Sequence, residues 1–341
     1  MDALLGPDEI RLREDFRVWA QREFAAPAGS AGPRGIFAPD LAEKLGLRAL
    51  GSGLDGLESG PRVPALRLAL MLEGVASARP EAGFRLAEHA GLCIPFIRAF
   101  GRPDQRERFL PALAAGRSMG SWLWVETGAV ERRRDGGVAL AGNPFVAADT
   151  GTETAVVLRA AGDGIADRGV EAFVFDKQDV RPAGGSEAEF LLPDSCRLDV
   201  GEEGFVTSRA VVQASSAPLL GAFLGAAAGL LESCQAAARS RGAFETQILE
   251  GRDVQVRLSE GRVGLEAVRW LTYRALLRVA AGASGEEPAR RLAETLPFMA
   301  GVLDLAGRLD VPGWGLEPAA AEAAGARRAR ALLTSLGHIL A

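Results

Sequence analysis

Apolar residues recur three and four positions apart along most of this chain, and only its middle breaks that rhythm. Over residues 8–24, Leu12, Phe16, Trp19, Ala20 and Phe24 fall at helical spacings, with acidic residues early in the run. Further helices are predicted over 39–50, 64–78 and 80–100, and a short one over 104–116 ends at a glycine. The Pro-, Gly- and Ala-rich segment 26–35 reads as a loop. From Ser121 the pattern changes. Ser121-Trp-Leu-Trp-Val, Gly137-Val-Ala-Leu, Ala155-Val-Val-Leu, Glu171-Ala-Phe-Val-Phe and Glu189-Phe-Leu-Leu are short β-prone runs separated by Gly, Asp and Asn. From Thr207 onward the helical pattern returns. The pattern predicts an α+β chain, mostly α: a helical domain over 1–118, an antiparallel β-barrel or sandwich over 119–206, and a helical bundle over 207–341.

Two helices organise the last part. The first opens with twenty-two uncharged residues, 210–231, and places Gly221, Gly225 and Gly229 on one face, where another helix can approach closely. It ends near Gly242, and a return helix follows with Ile248, Val254, Val256, Leu258, Val263, Leu265, Val268 and Leu271 as its apolar positions. The uncharged run is long enough to cross a bilayer. However, Gln213, Ser215, Ser216 and Pro218 occupy its first half, and no second run of that length exists. A buried helix, with no membrane partner, is the reading adopted.

The length, 341 residues at 48% hydrophobic, suffices for a sizeable core. A net charge of -5 argues against a nucleic-acid partner, which usually demands a basic face. Cys93, Cys196 and Cys234 stand far apart without metal-ligand spacing and read as buried thiols in a reducing compartment. The first fourteen residues carry four acids and no apolar core of an export signal, so a cytoplasmic location is expected.

Two letter-perfect motifs lack their context. Gly51-Ser-Gly53-Leu-Asp-Gly56 matches a dinucleotide fingerprint, but a helical pattern precedes it where a strand is required. Gly116-Arg-Ser118-Met-Gly120 matches a nucleophile elbow, yet it leads from helix into strand, the reverse of what that turn needs. Only His89 and His338 could serve a triad, and no metal site is expected.

The order of segments and several motifs resemble the acyl-CoA dehydrogenase family. Phe100-Gly101 through Gly116 is similar to the family's run from "fG" to "L-p-x-l-a-x-G". Trp122-Leu-Trp-Val125-Glu126-Thr127 resembles its first β strand and "T-E-P" loop. Arg241-Gly-Ala-Phe244 with Ile248 looks like "R-x-x-F-G-x-x-I", and Pro312-Gly313-Trp-Gly315 looks like "G-G-x-G". The resemblance implies FAD as cofactor and an acyl-CoA thioester as substrate. It implies that Arg241 reaches the FAD diphosphate of a neighbouring subunit, that Phe244, Ile248 and Gly313 lie against the same cofactor, and that Val125, Glu126 and Thr127 border the flavin. A guanidinium suits a diphosphate because it is permanently charged and donates two parallel hydrogen bonds. Arg241 solvating a helix end is the alternative.

The departures from the family pattern carry the functional expectation. The flavin-contacting Thr of "T-E-P" is Val125, and the Trp-Ile-Thr/Ser segment corresponds to Phe145-Val-Ala-Ala148. The family's Gln residues become Arg252 and Leu309. One family subgroup carries the catalytic Glu 21 residues beyond the last Gly of "G-G-x-G", which here is Leu336. Another carries it 26 residues before the motif Arg, which here is Ser215. Neither side chain can act as a carboxylate base. The resemblance therefore points to the short, base-lacking subunit of a heteromeric (α2β2) acyl-CoA dehydrogenase, inactive alone and sharing FAD with a base-bearing partner in lipid or steroid catabolism. The alternatives are a non-redox scaffold that binds an acyl thioester or a protein, and a self-sufficient flavin oxidoreductase relying on His338 or water.

Overall fold

The computed structural model describes residues 4–23, 63–125, 130–132, 138–141, 154–161, 169–183, 186–201, 204–240, 242–243 and 246–280. The expected helix over 39–50, the motif at 51–56 and everything beyond residue 280 lie outside them. The described elements are mostly helical. In chain order they are α1 (Pro7–Glu23), α2 (Val63–Ala78), α3 (Pro80–Glu88), a π-turn (His89–Cys93), α4 (Ile94–Phe100) and α5 (Pro103–Ala114), then strands β1 (Gly120–Val125), β2 (Val130–Arg132), β3 (Val138–Ala141), β4 (Thr154–Ala161), β5 (Gly169–Asp176), β6 (Arg181–Ala183) and β7 (Ser186–Leu192). After them come α6 (Gly204–Ser240), β8 (Gly242–Ala243), β9 (Thr246–Gln247) and α7 (Arg252–Ala280). Two compact units result. One gathers residues 1–30, 61–87 and 216–337, the other 31–60, 88–215 and 338–341.

In the first unit, α6 packs on α2 through the glycine face. A side chain at Gly221, Gly225 or Gly229 would lie 2.6, 2.9 and 3.0 Å from the carbonyl carbons of Ala69, Glu73 and Ser77. Both sets step by four in the same direction, so the two helices run parallel at backbone-to-backbone range, as the stripe predicts. The window of α6 that is apolar enough to cross a membrane is 67% buried within the chain. On α7, Val254, Leu265 and Val268 face inward, whereas Val256, Val263 and Leu271 face out, so the single apolar set read from the sequence divides between two faces.

Within this apolar unit lies a buried ionic cluster. Tyr273 donates to Glu73, whose other oxygen accepts from Arg269 Nε at 2.9 Å. Arg13 Nη1 donates to the Tyr273 hydroxyl at 2.9 Å, and Arg269 Nη1 reaches Glu266 at 2.5 Å. Burial pushes the Tyr273 hydroxyl pKa up, and the Glu73 carboxylate adds to the shift. The cluster ties α1, α2 and α7 together.

In the second unit the strands form two sheets, ordered β1-β4-β5 and β2-β3-β7-β6, neither of them closed among the described residues. Of the expected antiparallel barrel or sandwich, no closed barrel forms among the described residues, and one pair departs from the antiparallel expectation: β1 pairs with β4 in parallel from Gly120↔Thr154 to Val125↔Arg159. A parallel pair needs a long crossover, and residues 126–153, including the β2–β3 hairpin of the other sheet, supply it. The two sheets share a core of Val138, Ala155, Val157, Phe173, Phe175, Leu192 and Cys196. The opposite faces of β4 and β5, with Val156, Leu158, Ala172 and Val174, are also buried. Burial on both faces explains why these strands read as continuous apolar runs without alternation.

Candidate functional site

The chain turns from α5 into β1 through Gly116, whose φ of 67° is open to glycine at little cost. At this helix-to-strand turn Thr154 donates its one hydroxyl proton to Asp176 (2.7 Å), so Ser118 donates to Thr154 (3.0 Å). Asp176 is paired with Arg108 at 3.2 Å. Ser118 therefore ends a donor chain leading to an ion pair, and the elbow motif is structural.

β1 lies against an unusual helical segment. The Ile94 N–H bonds to the His89 carbonyl, the i→i−5 contact of a π-turn. Pro95 explains it: with no N–H to donate, and a ring that would press on the carbonyl four residues back, it favours a widened turn. Pro95 inside the predicted 80–100 helix was the sequence signal for this feature. The turn sets His89 and Cys93 under the start of β1, where the Gly120 N–H donates to His89 Nδ1 at 3.0 Å. A side chain at Gly120 would lie 3.1 Å from Cys93 Cβ. Two residues along the strand, the Trp122 ring packs against Phe96 with centroids 6.0 Å apart and the planes inclined at 51°.

Because Nδ1 accepts, the His89 proton sits on Nε2. Burial lowers its pKa to about 4, against a smaller opposing effect from the Leu113 carbonyl. His89 is thus neutral near pH 7 and holds the strand in place. The sign for stability follows: an unfolded His protonates below about 6.5 while the folded one does not, so stability is full above 6.5 and falls as the pH drops towards 4. A loss of about 3 kcal/mol is expected across that window, at about 1.4 kcal/mol for each pH unit between the two values. Urea titrations at stepped pH check it, and a His89→Gln variant should lose most of the slope.

Of the residues that the sequence resemblance assigns to a flavin site, Val125 closes β1 and Ile248 opens the 3-10 turn Ile248–Glu250. Ser215 lies within α6, and Arg252 is exposed at the start of α7. Arg241, Phe244, Glu126, Thr127, Gly313 and Leu336 fall outside the described residues. What can be placed is the frame of the arginine motif: β8 and β9 pair as Gly242↔Gln247 and Ala243↔Thr246. This small two-stranded pair follows α6 and precedes α7. Among the described residues no group of three His, Cys, Asp or Glu could hold a metal ion.

The family model described as "Acyl-CoA dehydrogenase, N-terminal domain" matches residues 6–117, and that described as "Acyl-CoA dehydrogenase, C-terminal domain" matches 202–293. The chain belongs to the acyl-CoA dehydrogenase family. It is similar to the human mitochondrial short-chain specific acyl-CoA dehydrogenase, 24% identical over 299 residues that cover 78% of this chain and 69% of the human one. In fold it is similar to butyryl-CoA dehydrogenase from Megasphaera elsdenii, at 19% identity and a TM-score of 0.63, covering 97% of this chain and 94% of that one. It is likewise similar to the prolyl acyl carrier protein oxidase AnaB, at 17% identity and a TM-score of 0.64 over 97% and 94% of the two chains.

Proposed function

We propose that this chain is the base-lacking subunit of a heteromeric, FAD-dependent acyl-CoA dehydrogenase that oxidises a bulky acyl-CoA thioester at Cα–Cβ. One observation carries the reading: counted from the family motifs, the two positions that correspond to the catalytic Glu of the family hold Leu336 and Ser215. A hydrocarbon and a hydroxyl cannot remove an α-proton near neutral pH, so the base comes from another chain. Bound FAD supplies the acceptor for the hydride that leaves Cβ. On the test of donor chemistry, this chain suits one end of that cofactor better than the other. By the family resemblance Arg241 would hold the diphosphate, with Phe244, Ile248 and the Gly313 backbone against it. At the flavin end β1 closes on Val125, which has no side-chain donor to offer. Three buried free thiols, Cys93, Cys196 and Cys234, fit a reducing compartment such as the cytoplasm.

Co-expression with an acyl-CoA dehydrogenase homologue that retains the base, followed by an absorbance spectrum of the purified complex, tests the reading. The complex should be yellow and active, and this chain alone colourless and inactive. A homo-oligomer of this chain that binds flavin stoichiometrically would falsify it. Arg241→Ala should weaken FAD retention in the complex by about 1.5–3 kcal/mol, the scale of a charge-assisted hydrogen bond; unchanged flavin content would mean that Arg241 serves elsewhere. A second reading is a non-redox scaffold that binds an acyl thioester or a protein partner, drawn from the Leu336 and Ser215 that stand at the base positions. A chain that binds an acylated carrier protein and never flavin, even with its partner present, would favour it.

A further inference from the structure

We draw no further inference here: the strongest candidate, the exposed apolar stripe of Val256, Val263 and Trp270 on the outward face of α7, carries nothing because nothing among the described residues shows what covers it.

Discussion

Glu73→Ala should destabilise the first unit by about 3–5 kcal/mol, the cost of removing one partner from a buried ionic cluster. Glu73 is 2% exposed and accepts from both Arg269 Nε and Tyr273. Its removal strands the Arg269 guanidinium, 15% exposed at the side chain, with Glu266 as its remaining anion. It also leaves the Tyr273 hydroxyl without its acceptor. The cavity of a truncated side chain adds to this, but the uncompensated charge is the larger effect, because nothing apolar nearby can replace the lost acceptor. Glu73→Gln separates the two contributions. It keeps shape and one acceptor while losing charge, and should cost less than the alanine. Urea unfolding followed by circular dichroism reads both. A loss below about 1 kcal/mol for Glu73→Ala would place these charges in water, where exposed pairs contribute little.

Nothing in the pattern of α2 announces this cluster. Val63–Ala78 carries only Arg67 and Glu73 as charges, and a lone Glu in an apolar helix gives no sign of its partners. Those partners, Arg13 and Arg269, are 60 residues before it and 196 after it, and local periodicity holds no information about such distances. The glycine stripe of α6 was legible for the opposite reason: three missing side chains on one face have few uses besides close approach. For α7 the helix is legible but its facing is not, since Val256 and Val263 carry the same letters as core positions and the period alone does not say which stripe faces in. In the β region the five runs became β1, β3, β4, β5 and β7, the short β2 and β6 were not foreseen, and every pair of the two sheets except β1–β4 is antiparallel as expected. Antiparallel neighbours are the default for short successive strands, whereas β1 passes over the β2–β3 hairpin to reach β4. The π-turn was missed although Pro95 marked it. At the candidate site, the chemistry rests on residue identities that can be counted from the sequence, while the frame of the arginine motif, a two-stranded hairpin between α6 and α7, comes only from the fold.

The α2–α6 contact yields the other large effect. Gly221→Ala adds one methyl group and raises helix propensity by about 1 kcal/mol, so an exposed site would gain stability. Here that methyl group would meet the Ala69 carbonyl oxygen, the carbonyl carbon at 2.6 Å and Cα at 2.7 Å. All three atoms are backbone, so no rotamer change can make room and the helices must separate. Separation also loosens the contacts at Gly225 and Gly229 and the aromatic contact of Phe223 with Phe84, whose centroids lie 4.9 Å apart. Overpacking of a tight core costs typically 1–3 kcal/mol and sometimes more. A rigid backbone clash belongs at the upper end, and a net loss of about 3 kcal/mol is expected. The series should be graded. Carbonyl-carbon distances of 2.6, 2.9 and 3.0 Å rank Gly221→Ala as the most damaging, then Gly225→Ala, then Gly229→Ala. Ala69→Gly placed in the Gly221→Ala background should restore little, because the clash is with the Ala69 backbone and not its methyl group. Thermal denaturation of the four variants decides the matter: melting temperatures at or above that of the unsubstituted chain would show propensity prevailing, and the two helices would then lie further apart than the glycine stripe requires.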